Sequence, residues 1–329
     1  MNTAAKLSAY GAVLALVAGG AWAAGSAVGP LSVDAAPRGV DGTSGAEGTG
    51  HGDDHSGTVA EAANDQPGGL ASSRGGYTLT PTDTTLTTGN NSFDFRILGP
   101  GGAAVTAFDV EHDKRMHLIV VRRDTSGYRH VHPEMAADGT WTVPLDITEA
   151  GSYRVFADFK PTGAEATTLG VDVAAAGVFE PKAHAPSRVA EVDGYQVRLD
   201  GDLVAGKSSP VRLTVSKDGA PVTDLQPYLA AYGHLVALRQ GDLAYLHVHP
   251  EGTPGDGKTA AGPEIAFVAQ VPSAGGYRLF LDFQHNGVVR TAEFTVDTTG
   301  NPAGSPTTGS PTTGTLQAPV EEEEGHGHG

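Results

Sequence analysis

The chain carries one pattern twice. A run marked by His117, Tyr128, His130, His132, Pro133 and Glu134 returns 117 residues later as His234, Tyr245, His247, His249, Pro250 and Glu251. Whatever fold holds the first copy must hold the second, so the chain has to build one small unit of about a hundred residues twice over. Gly102–Thr106 matches Gly219–Thr223 at the same offset. Ala150–Phe159 matches Ala274–Phe283 with the offset grown by seven, which puts an insertion in the Gly/Pro/Asp-rich stretch 252–264.

Within each copy the apolar residues recur every second position, and Gly, Pro and Asp interrupt them at short intervals. In the first copy this predicts strands at 77–80, 92–98, 117–123, 128–132, 140–145, 152–159 and 167–173. No core stretch has the period of an amphipathic helix. Seven short strands in a hundred residues predict an all-β chain of two tandem Ig-like or cupredoxin-like β-sandwich domains, at 76–174 and 191–297. The Pro-containing stretch 175–190 joins them. Tyr153 and Tyr277, each in a Gly-x-Tyr-Arg run, suit the tyrosine of a sandwich corner.

The flanks read differently. Lys6 precedes an uncharged run from Leu7 to Val33, long enough to cross a bilayer, which takes ~20 apolar residues. Its length favours an uncleaved signal anchor over a cleaved signal peptide, although Ala21-Trp22-Ala23 has the small residues of a cleavage site. Residues 1–33 are therefore expected to place the bulk of the chain outside the cell membrane. Residues 34–75 hold too few large apolar side chains to offset the entropy of ordering and are expected to be a disordered linker. Residues 298–329 form a Pro/Thr/Ser/Gly stalk ending in four glutamates and Gly-His-Gly-His-Gly.

A net charge of −17 excludes nucleic acid as a natural partner. The absence of cysteine excludes disulfides, thiolate zinc sites and the cysteine ligand of a blue-copper centre. What remains for chemistry is histidine, the commonest metal ligand. His117–Arg123 and Tyr128–His132 read as a hairpin closed by Asp-Thr-Ser-Gly, and the second copy turns at Gln240-Gly-Asp-Leu. That register sets His117 opposite His132 and His234 opposite His249. His130 and His132 lie two apart and share a face. Opposed Cβ atoms lie ~4.5–5.5 Å apart, close enough for imidazoles to converge on one ion. The candidate ligands are thus His117, His130 and His132 in one domain and His234, His247 and His249 in the other. A one-residue slip would send His117 to the other face.

Asp158 and Asp282 stand at matching places in the penultimate strand of each copy, to complete a site, orient a histidine or only bond backbone. Glu134 and Glu251 read as solvated turn residues before ligands. Met116, Met135 and His112 are extras of the first copy, and thioether with imidazole would suit soft copper(I). Solvation explains His51, His55, His326 and His328 as well as weak cation binding does. His184 and His285 read as surface residues.

The runs around Met116–Asp124, Tyr128–Glu134, Tyr232–Arg239 and Tyr245–Glu251 resemble a group of actinobacterial membrane-anchored or secreted proteins commonly described as heavy-metal-binding. The resemblance covers roughly 1–30 and 76–297. It implies a link to copper or another transition metal at the cell envelope, and no catalytic activity. The sequence thus points to an extracytoplasmic metal-binding protein, copper ahead of zinc, whose affinity should fall below pH ~6.5 as the imidazoles protonate. A metal-free Ig-like adhesion or scaffold module and a three-histidine zinc hydrolase are the alternatives. The sequence names no protein partner.

Overall fold

The alternating runs become strands, and in the computed structural model none of the described residues, 66–299 without His247, is helical. None of them forms a helix long and apolar enough to cross a membrane. The proposed anchor, most of the linker, the tail and His247 lie outside the described residues.

The first repeat contains β1 (Ser73–Arg74), β2 (Tyr77–Pro81), β3 (Thr85–Leu86), β4 (Gly89–Leu98), β5 (His117–Arg122), β6 (Arg129–Val131), β7 (Glu134–Met135), β8 (Thr140–Ile147), β9 (Gly151–Phe159) and β10 (Thr167–Ala175). The second contains β11 (Val189–Val192), β12 (Tyr195–Asp200), β13 (Lys207–Lys217), β14 (Ala220–Pro221), β15 (His234–Arg239), β16 (Tyr245–Leu246), β17 (Val248–Pro250), β18 (Glu264–Val271), β19 (Gly276–His285) and β20 (Val288–Asp297). Each repeat is a two-sheet sandwich. The sheets run β1-β2-β4-β8-β7 and β3-β10-β9-β5-β6 in the first, and β11-β12-β13-β18-β17 and β16-β15-β19-β20 in the second. This is the expected pair of Ig-like sandwiches.

Alternation fills each core. In β8, Trp141, Val143, Leu145 and Ile147 point inward and their neighbours outward. The tyrosine corner forms in both copies: Tyr153 Oη donates to Glu149 O and Tyr277 Oη to Ser273 O, each at 2.7–2.8 Å. Each phenol closes the turn that enters its strand, β9 or β19.

The strands nearest the histidines break the half-buried pattern. All six residues of β5 are buried. Leu118 and Val120 face their own core, whereas Ile119 and Val121 join Tyr128 and Phe156 in a separate cluster with Val236, Leu238, Leu243 and Phe280 of the second repeat. Tyr128 stacks on Phe280 with centroids 4.1 Å apart and planes within 4°. The outer face of one sheet is therefore covered by the matching face of the other repeat. Such a strand, apolar on both sides, reads as a continuous hydrophobic run.

Residues 66–75, assigned to the linker from composition, pack on this seam. Gly68 bridges to Tyr245, and Arg154 donates to the carbonyls of Gly69 and Leu70. Hydrogen bonds from a buried guanidinium hold a segment that its own side chains cannot.

Candidate metal centre

The hairpin takes the expected register. Leu118 lies opposite Val131 and Ile119 opposite His130, so His117 faces His132 one step beyond the end of the ladder. In the second copy Ala237 lies opposite Leu246. His117 and His130 share their side of the sheet with Ile119 and Tyr128. That side is the seam between the repeats, so the histidines face inward between two domains.

One ligand nitrogen from each of His117, His130 and His132 lies within 4.8 Å of the other two. Ring centroids within this set are 4.9–5.3 Å apart. The protons on two of the rings follow from their partners. His117 Nε2 lies 3.1 Å from the carbonyl of Glu111, which can only accept, so Nε2 carries the hydrogen and Nδ1 a lone pair. His130 Nδ1 lies 2.9 Å from Asp282 Oδ2, and donation to that carboxylate leaves a lone pair on Nε2. The two lone-pair nitrogens, His117 Nδ1 and His130 Nε2, face each other at 3.1 Å. Two lone pairs repel, so something positive belongs between them, a proton or a metal ion. A tetrahedral ion with bonds of ~2.0–2.1 Å spaces its ligand nitrogens at roughly 3.3 Å. His132 Nε2 is buried and has no hydrogen-bond partner.

Asp282 comes from the second repeat. Thr291 Oγ1 donates to its other oxygen at 2.6 Å, and the His130 and Asp282 side chains are only 6% and 4% exposed. Metal-binding histidines commonly donate their second N–H to a carboxylate or carbonyl, which sets the tautomer. His130 and His117 do so with Asp282 and Glu111. Sequence position suggested that each aspartate would serve its own copy. Asp282 instead crosses the seam, because the sheets of the two repeats face each other there, with Phe280 on Tyr128 and Tyr245 against Phe156. Asp158, its counterpart, accepts from Thr168 Oγ1 at 2.8 Å, and burial pushes its carboxyl up to about 6.

Burial holds the imidazoles of His117 and His132 neutral, with pKa values lowered to about 3. His234 is lowered to about 4 for the same reason. These rings therefore keep their ligand lone pairs well below pH 6.5, and proton competition for them moves to more acid solution than an exposed histidine implies.

The second triad does not assemble like the first. His234 Nε2 donates to the carbonyls of Tyr228 and Leu229 at 2.9 and 3.0 Å, repeating the His117 arrangement. His249 leaves the sheet, because β17 pairs with β18 and sets His249 opposite Val268. In the first repeat the chain crosses to the other sheet only at Glu134, opposite Thr142. The earlier crossing separates His249 from the position that His132 holds. His247 lies outside the described residues. His234 instead stands beside the first triad, its ring 6.3 Å from His130 and 5.3 Å from His112.

The thioether expectation is corrected. Met116 is 1% exposed and belongs to the first core, on the face opposite the histidines, because it precedes His117 by one residue in an extended chain. Met135 packs against the same core. Glu134 and Glu251 are exposed. His285, expected at the surface, is buried and bonded to Tyr195 Oη at 2.8 Å and Asp224 at 3.0 Å.

Solved structures offer distant likenesses. A protein from Corynebacterium diphtheriae described as membrane anchored is 11% identical with a TM-score of 0.20, covering 70% of this chain and 60% of that one. The present chain thus spans 60% of the length of that protein. The D0–D1 domain of intimin is 14% identical at a TM-score of 0.19, with 66% and 96% covered. Invasin, a bacterial integrin-binding protein, is 12% identical at 0.19, with 66% and 38% covered. Overlays this loose carry no argument about function. No curated protein matches the sequence. The duplication itself is recognised by a family model described as a domain of unknown function, DUF8832, which matches residues 72–176 and again 190–300, and the chain belongs to that family.

Proposed function

We propose that the protein is an extracytoplasmic binder of divalent transition-metal ions, held at the cell membrane by Leu7–Val33 and acting in metal buffering or handling. His117, His130 and His132 are the ligands. The observation that carries this reading is the convergence of His117, His130 and His132, one ring nitrogen of each within 4.8 Å of the other two, with His117 Nδ1 and His130 Nε2 only 3.1 Å apart. The unpartnered, buried His132 Nε2 adds a third nitrogen.

An all-imidazole set suits borderline ions, and among the described residues no thioether stands by to favour copper(I). Among divalent ions the intrinsic order puts copper(II) above zinc. We therefore place copper(II) first and zinc second. Such a site performs no reaction unless substrate reaches an open position, and binding alone accounts for the arrangement.

Calorimetric titration of the full chain with copper(II) and with zinc tests the reading. Saturable binding is expected in the wild type. His130→Gln, which keeps a donor for Asp282, should weaken it at least ~10-fold through loss of one imidazole. A folded wild-type protein that takes up neither ion would overturn the proposal.

A further inference from the structure

Among the described residues the second repeat supplies no ligand to the three-histidine centre, yet it closes over it. Asp282 accepts from His130 Nδ1 across the seam at 2.9 Å. The Tyr228 ring stands 6.4 Å from His132, and the His234 ring 6.3 Å from His130. The rest of the seam is unevenly packed. Its apolar part is a small patch in which Ile119 and Tyr128 meet Val236 and Phe280. Beside it a cavity of about 520 Å³, lined by His117, His130, His234 and Val248, separates the repeats. Tyr128 Oη is buried in the seam with no hydrogen-bond partner. Few other ties cross. Residues 176–188 hold no strand and are bonded to the first sandwich at Lys182 and to the second at Ser187. On the other flank Gly69 N donates to Thr168 O at 2.9 Å, while Gly68 O accepts from Tyr245 N at 3.0 Å. Domains that meet through a small apolar patch move relative to each other unless something holds them.

We infer that the centre is a clasp: an ion held by His117, His130 and His132 of the first repeat draws the second repeat shut through Asp282, so that metal occupancy is expressed as closure of the two sandwiches. The link is the His130 ring. Coordination at Nε2 withdraws electron density from the imidazole and makes Nδ1–H a stronger donor, so its bond to Asp282 strengthens when the ion is bound. In an open arrangement water takes the place of Asp282, and the ion is held less tightly. A carboxylate partner of this kind changes metal affinity about 10–100-fold, and linkage requires the ion to favour closure by the same factor. This inference rests on reading the three-histidine centre as a metal site, and its test separates the two.

The experiment is hydrogen exchange of the full chain with zinc and with chelator, joined to zinc titration of seam variants. The Tyr245 amide of the second repeat, bonded to Gly68 beside the first, reports opening. Its exchange should slow at least ~10-fold with zinc in the wild type. No slowing is expected in His132→Leu, which loses a ligand but keeps the bond between His130 and Asp282. Phe280→Ser makes the seam polar without touching the ligand set, and should weaken zinc binding ~10-fold by shifting the protein toward the open arrangement. Val236→Ser, on the neighbouring strand, should act in the same direction and serves if Phe280→Ser does not fold. Histidines of the flanking segments add the same background to every variant, so differences between variants are read. A wild type that takes up zinc with Tyr245 exchange unchanged, slowing that survives His132→Leu, or seam variants with wild-type affinity would overturn the clasp and leave the centre intact. No specific zinc uptake by the wild type would sink both.

Discussion

A buried ring nitrogen without a partner forfeits the hydrogen bond that water gave it, at a cost of about 1–3 kcal/mol. His132 Nε2 is such an atom. His132→Leu should therefore raise the stability of the metal-free protein by about 1 kcal/mol in urea unfolding with chelator present, while lowering metal affinity. A side chain kept only for packing would show the opposite sign in the first measurement. Asp282 gives the complementary case. Asp282→Asn keeps an oxygen for His130 Nδ1–H but removes the charge, and binding of zinc or copper(II) should weaken about 10–100-fold in titration. That Asp282 matters was half legible. Its equivalence with Asp158 could be read from the chain, but not that it reaches the histidine of the other copy. His112 was visible as an extra near His117; its nearness to His234 was not.

Two turns show how local structure sets the tautomers. Glu111–Lys114 and Tyr228–Ala231 each have two consecutive residues in the left-handed region, His112 and Asp113 at φ 48° and 62°, Leu229 and Ala230 at 53° and 62°. In both, the first residue of the turn offers its carbonyl to the histidine six positions on. Histidine and aspartate tolerate this backbone better than leucine and alanine. Left-handed backbone costs an ordinary residue ~1–2 kcal/mol. Ala230→Gly, at an exposed site, should thus stabilise the protein by about 0.5–1 kcal/mol after the added entropy of the unfolded chain is subtracted. A loss of stability would mean that the turn is not strained. The hairpin register was legible because both turns are short and the side-chain period is two. The departure of His249 was not, because Val-His-Pro reads alike in both copies and only the partner strand decides which sheet takes it.

Across the whole molecule the first sandwich and the inter-repeat segment are tied by charge. Arg122, 2% exposed, meets Asp124 at 2.7 Å and donates to Glu180 O, while Asp124 accepts from the Lys182 amide at 2.8 Å. Burial alone would raise the Asp124 carboxyl; bonds from Arg122, Lys182 and Ser126 outweigh it and hold the pKa well below the ordinary value. The folded state then binds this proton less readily than the unfolded chain. Stability from Asp124 is fully present above about pH 4 and is lost as pH falls further, until the folded carboxyl protonates. Asp124→Asn should flatten this acid limb of the stability curve, measured by thermal unfolding between pH 2 and 5. An unchanged limb would place the acid sensitivity elsewhere.

The two sandwiches, the strand positions, the tyrosine corners and the facing of His117 with His132 follow from alternation, turn residues and duplication, all of which act over a few neighbours along the chain. The unbroken apolar run of β5 accounts for its burial on both faces but does not say what covers the outer one. Only the tertiary structure decided that the covering surface is the other repeat, that Asp282 belongs to His130, and that His234 joins its neighbour's histidines. Those outcomes depend on how two finished sheets pack, and face-to-face packing brings together residues more than a hundred positions apart that no local pattern connects.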